Sequence, residues 1–180
     1  MARILIVEGG QRGLALAGEL HADGHAVRVT TGAPALRGEI EAVGAECFLG
    51  TPERLATLRG ALEHVTIACW LLAGDDAAGD SPESARALHG PRLERFLCDA
   101  IDSTLRGFLY ESGGRTVPEG VLERGRRIVS ETAALNSIPV AITTADPAEL
   151  ASWLARTRSA IDSLLEGRST GVDGSRAAAV

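Results

Sequence analysis

Apolar and polar positions alternate along this chain in blocks that change period. Ile4-Leu5-Ile6-Val7 is a continuous apolar run closed by Glu8-Gly9-Gly10, the pattern of a strand buried on both faces. Residues 13–21 then repeat at helical spacing, with Leu16, Ala17 and Leu20 on one side. After Asp23-Gly24 the segment Ala26-Val27-Arg28-Val29-Thr30-Thr31 predicts a second strand. Residues 35–43 predict a short helix and 45–49 a third strand. Thr51-Pro52 is a good helix start, with threonine as cap and proline at the first position, followed by the stripe Leu55, Leu58, Leu62. Residues 65–73 are the most apolar segment and predict a central strand. A helical pattern over 83–104 is interrupted at Gly90-Pro91. A fifth strand over 107–110, a helix over 118–135, a sixth strand over 138–143 and a helix over 147–165 complete the series.

Strand and helix thus alternate every 20 residues or so, the rhythm of βαβ units and a parallel sheet. The expectation is an α/β fold: one Rossmann-like domain over residues 1–166, about six parallel strands with helices on both faces, and a Gly/Ser/Ala-rich tail over 167–180 read as disordered. A length of 180 residues suits that reading. The net charge of −6 argues against nucleic acid or an anionic membrane as partner, since both need a basic face. No apolar run approaches a membrane span and no leader pattern opens the chain, so a cytoplasmic location is expected. Cys47, Cys69 and Cys98 form no disulfide framework and are expected to be buried and inert. His21, His25, His64 and His89 have no metal-ligand spacing.

One count removes whole mechanisms. All 18 basic residues are arginine, so no step can use a lysine, whether as phosphate ligand, Schiff base or partner of a tyrosine. The single tyrosine, Tyr110, falls at the end of the fifth strand, where open α/β sheets bind their ligands.

Glu8-Gly9-Gly10-Gln11-Arg12-Gly13 stands between the first strand and first helix, where a dinucleotide fold needs glycines and a helix N-terminus for the pyrophosphate. The spacing is imperfect, because the first glycine of G-x-G-x-x-G falls on Glu8. A side chain at Gly13 is expected to intrude on the pyrophosphate path. The second strand ends Thr30-Thr31-Gly32-Ala33, without the acid that commonly takes the ribose hydroxyls. Arg12 and Arg37 could instead meet a 2′-phosphate, with Thr31 offering a hydroxyl, so NADP is preferred over NAD. Ala73 and Gly74, after the fourth strand, complete the expected cofactor edge.

Taken in order, the first-strand motif through Gly10, Gly24-His25-x-Val27-Arg28-Val29, Leu55 to Val65, Leu72-Ala73-Gly74, Phe108-Leu109-Tyr110-Glu111-Ser112 and Ile138-Pro139-Val140-Ala141-Ile142 resemble the short-chain dehydrogenase/reductases. The extended and atypical branches, with sugar-nucleotide epimerases and NAD(P)H-binding reductases, are the most similar. The resemblance implies Ser112 as catalytic serine, with Tyr110 as a second candidate. It also implies a Tyr-x-x-x-Lys pair on the next helix, where this chain has Glu123 and Arg127, an i,i+4 spacing read as a structural ion pair. Thr51 stands where the family commonly has an acid against the adenine. With one helix after the sixth strand, the family's C-terminal substrate region is expected to be largely missing. Three functions follow from the resemblance: an atypical reductase or epimerase-like enzyme acting on a small molecule, a non-catalytic redox-sensing module, or an interaction subunit that has lost its cofactor. A homodimer is expected, through helices 91–104 and 118–135 or through the last helix with Trp153 and Ile161.

Overall fold

A computed structural model describes residues 1–74 and 81–170. Six parallel strands form one sheet in the order β3-β2-β1-β4-β5-β6. They are β1 (Arg3–Val7), β2 (Ala26–Thr31), β3 (Glu46–Leu49), β4 (Ile67–Trp70), β5 (Gly107–Glu111) and β6 (Val140–Thr143). The helices are α1 (Gly10–Ala22), α2 (Arg37–Ala42), α3 (Pro82–Leu88), α4 (Pro91–Ile101), α5 (Glu119–Asn136) and α6 (Leu150–Leu165). The strand order reverses between β1 and β4, which leaves a crevice at their C-terminal ends.

Alternation along the strands divides the core into two layers. Leu5, Val7, Ala68, Trp70, Phe108, Tyr110 and Ile142 face α3, α4 and α5. Ile4, Ile6, Val29, Ile67, Cys69, Leu109 and Ala141 face α1 and α6. Parity thus sends Tyr110 and Glu111, adjacent in sequence, into opposite layers.

The fourth strand, the segment after Thr51 and the tail differ from the sequence-based reading. The fourth strand is paired only as far as Trp70, although Leu71, Leu72 and Ala73 are fully buried. Side chains replace the ladder there. Arg12 donates to the Leu71 carbonyl at 3.0 Å, His89 Nε2 lies 3.2 Å from that of Leu72, and Ala73 N–H donates to Glu111 at 2.7 Å. The segment Pro52–Leu62 is a 3₁₀ helix broken at Arg54, not an α-helix. Thr57 Oγ1 accepts from Thr51 N–H and donates to the Arg54 carbonyl, competing with the helical ladder. The long pattern before β5 is two helices that part at Gly90-Pro91, where the sequence places its interruption. Residues 167–170, read as part of a disordered tail, turn back along the sheet, and Thr170 exchanges backbone hydrogen bonds with Val140 and Ile142. Asp75-Asp76, read from the sequence as a solvated acidic loop near the expected cofactor edge, lies outside the described residues.

Candidate functional site

The turn from β1 into α1 carries three consecutive residues with positive φ: Glu8 at 55°, Gly9 at 93° and Gly10 at 54°. Two of them are glycine, which adopts this region without cost, while Glu8 pays for it. The turn leads directly into the N-terminus of α1, whose free backbone N–H groups and positive dipole end favour an anion. A Cβ on Gly13 would meet the Glu8 carbonyl oxygen at 2.8 Å, so this glycine lets α1 pack against the end of β1.

Arg12 turns inward. Its side chain is 6% exposed, and its Nε and Nη2 donate to Glu111 Oε1 and Oε2 at 3.0 and 2.8 Å. Glu111 is fully buried and also accepts from Ala73 N–H and from Trp153 Nε1 at 2.9 Å, so both oxygens carry two donors. The Arg12 guanidinium lies 5.6 Å from the Trp153 ring centroid, a cation–π contact. Gly74 closes over it, for a Cβ at Gly74 would stand 2.3 Å from Arg12 Nη1. Arg12, Ala73 and Gly74 are thus brought together, but by a buried bidentate ion pair that the sequence reading missed. A signal existed: Arg12 lies four residues before Leu16 on the buried stripe of α1, and Glu111 shares the face of Leu109.

Tyr110 does not reach the ligand-binding edge. It is fully buried, its hydroxyl is 2.7 Å from His89 Nδ1, and α5 passes so closely that a Cβ at Gly125 would lie 2.0 Å from the hydroxyl oxygen. Burial raises its pKa above the normal tyrosine range. His89, also fully buried, is lowered to about 4 by burial. Ser112 does lie at the edge, 4% exposed, and its Oγ accepts from Arg126 Nη1 at 2.6 Å. Arg126, rather than Arg127, is therefore the helix residue that reaches the serine, and it also pairs with exposed Glu119. Glu123 and Arg127 face solvent, 63% and 66% exposed, with 3.9 Å between their charged atoms.

Around the end of β2 the remaining residues gather on the other side of the crevice. Thr31 Oγ1 accepts from Ala33 N–H at 3.0 Å, capping its own turn. Arg37 pairs with Glu41 at 3.3 Å, and Gln11 donates to Glu39. Both arginines on which the NADP preference rests are thus held by carboxylates of the chain itself. The Glu8 carboxyl leans toward Thr51 and Glu53 and is raised to about 7, by burial first and by the Glu53 charge second. Cys69 is buried and its thiol pushed up to about 12, whereas Cys98, expected to be buried, is exposed on α4. Among the described residues no cluster of three metal-ligating side chains occurs, and no helix is long and apolar enough to cross a membrane. An open cavity of about 800 Å³ lies at the opposite edge, lined by His25, His64 and Arg106, and no residue of the glycine turn borders it.

This fold has counterparts among solved structures. A short-chain dehydrogenase/reductase superfamily protein from Agrobacterium tumefaciens with bound NAD superposes with a TM-score of 0.64 at 19% identity, over 79% of this chain and 48% of that one. This chain shares the Rossmann-like fold of that structure. UDP-glucuronic acid 4-epimerase from Bacillus cereus in complex with NAD gives 0.62 at 14% identity, over 80% and 56%. BdcA from E. coli gives 0.66 at 13% identity, over 88% and 89%. The chain spans about half the length of the first two. No protein-family model and no curated protein matches it in sequence.

Proposed function

We propose that this protein binds a nicotinamide dinucleotide across the crevice between β1 and β4. The observation that carries this reading is the turn of three positive-φ residues leading into α1 at the point where the strand order reverses. The donor set fits: the backbone of Gly9, Gly10 and Gln11 would hold the pyrophosphate, and Thr31 stands toward the adenosine half. Ala73, Gly74 and Ser112 border the other half. When bound, the dinucleotide supplies a hydride donor or acceptor. The chain's own part is to orient it and to place Ser112, polarised by Arg126, toward a small-molecule substrate, as an atypical reductase or epimerase-like enzyme without the tyrosine–lysine pair.

A second reading, a non-catalytic redox-sensing module, is favoured by two particular observations. Tyr110 is sealed within the core, and Glu123 and Arg127 form a solvated pair. Neither offers a proton to a substrate. A homodimer through α4 and α5 belongs to either reading, since these helices leave an apolar crease lined by Leu97, Ile101, Leu105, Val129 and Ile138.

Fluorescence titration with NADH and NADPH tests the common part: saturable enhancement is expected, and its absence with both removes the proposal. Steady-state oxidation of the reduced cofactor with quinones, flavins and aldehydes then separates the two readings. Turnover that survives Tyr110→Phe supports the enzyme, and binding without turnover supports the module.

A further inference from the structure

Ser112 directly follows β5, and its backbone N–H donates to the Thr143 carbonyl at 2.8 Å, which ties it to the end of β6. The two glycines after it are tightly enclosed. A Cβ on Gly113 would lie 2.1 Å from the Ala145 carbonyl oxygen, and one on Gly114 would lie 2.7 Å from that of Ala73. The serine is thus held in a fixed place, 4% exposed. Its Oγ accepts from Arg126 Nη1 at 2.6 Å, so the hydroxyl hydrogen remains to be donated, and among the described residues nothing accepts it.

Arg126 is also incompletely used. Its side chain is 20% exposed, and its other amine pairs with Glu119, which is 74% exposed. An ion pair with so exposed a carboxylate is weak and readily exchanged. The nearby acids are committed, Glu111 to Arg12 within the core and Asp146 to Arg115 at 3.2 Å. Guanidinium and hydroxyl therefore offer donors only, and an acceptor-only group is their complement.

Resting on the dinucleotide reading for the place of Ser112 beside the reactive half of the cofactor, we infer that Arg126 and Ser112 form a subsite for a small 2-oxo acid. Arg126 takes the carboxylate in exchange for Glu119, and the Ser112 hydroxyl donates to the neighbouring carbonyl oxygen. A planar guanidinium matches a carboxylate with two parallel N–H donors, which a point charge cannot do. The 2.6 Å between Nη1 and Oγ brings the two donors close enough to serve oxygens on adjacent carbons of one molecule. A phosphate ester fits less well, since its charge of about −2 meets one guanidinium with Glu119 close by. An aldehyde or quinone has no anion to offer and leaves Arg126 on Glu119.

Isothermal titration of 2-oxobutanoate, its primary amide and inorganic phosphate tests the inference. The full chain is first saturated with NAD or NADP, in the oxidised form so that no turnover follows, and thermal melting establishes that each variant is folded. The parent is expected to bind the oxo acid at least about tenfold more tightly than the amide. Arg126→Gln should lose at least about tenfold, and Arg126→Lys, which keeps the charge without the fork, at least about threefold. Glu119→Gln removes the competing carboxylate and should tighten oxo-acid binding about two- to fivefold, a gain that a merely structural arginine would not give. Equal affinity for acid and amide overturns the inference, as does parental affinity in either Arg126 variant or weaker binding in Glu119→Gln. Phosphate bound as tightly as the oxo acid overturns it too, in favour of a general anion site. If the nucleotide binds and the oxo acid does not, the inference falls and the dinucleotide reading stands. If neither nucleotide binds, that reading falls and the inference with it.

Discussion

Glu8 and His89 pull the stability of the protein in opposite directions as pH changes. The Glu8 carboxyl is raised from 4.5 to about 7, so its contribution is complete at low pH and is lost as pH rises through that interval. His89 is lowered from 6.5 to about 4, so its contribution is complete above about 6.5 and is lost as pH falls toward 4. Between about pH 5 and 6.5 the two slopes oppose, and the melting temperature of the parent should stay nearly level. Glu8→Gln removes one slope, and its melting temperature should fall steadily on acidification. A variant profile parallel to the parent's would contradict this assignment. At Glu111 the expected effect is larger. Glu111→Gln leaves the Arg12 charge buried and unpaired, which should cost about 3–5 kcal/mol in urea denaturation. Glu123→Gln breaks only a solvated pair and should stay within about 0.5 kcal/mol of the parent.

Within α5, two glycines five residues apart should respond with opposite signs. A methyl placed on Gly120 would have nothing within 4 Å, so Gly120→Ala reduces the freedom of the unfolded chain without any clash in the folded one. A gain of about 0.4–1 kcal/mol is expected. Gly125 faces Tyr110, and Gly125→Ala drives a methyl into the phenol, with a loss of roughly 1–3 kcal/mol despite the better helix propensity. Chemical denaturation of both variants measures the difference; two shifts of the same sign would mean that α5 does not press on Tyr110 as described. The same reasoning applies to α1. Gly13→Val would press this helix away from β1 through the Glu8 carbonyl, so a lower melting temperature is expected in that variant.

For the molecule as a whole, the two sheet faces differ in how completely they are covered. On the α1/α6 side Trp153 and Ile161 are fully buried within the chain, so these two side chains are not available to a dimer surface. On the other side, the apolar crease between α4 and α5 remains, with Leu135 84% exposed at the end of α5. Light scattering at tens of micromolar should report a dimer, and Ile101→Arg should yield a folded monomer. A monomeric parent would remove the assembly from the proposal.

The sequence by itself determined the strand–helix alternation, the strand parity and the place of the glycine turn, because these rest on local period and on residues whose backbone freedom is intrinsic. Ala26–Thr31 was legible to the residue. What only the tertiary structure decided were the partners of the polar groups. Arg12 reads as a surface cation until β5 brings Glu111 beneath it, 99 positions along the chain. Arg28 likewise becomes a buried residue only when the β2–β3 register sets it opposite Glu46. Tyr110 reads as an edge residue until α5 and His89 close over its hydroxyl. The direction and partner of a charge depend on which elements meet, and that is a property of the packed sheet rather than of any window of the chain.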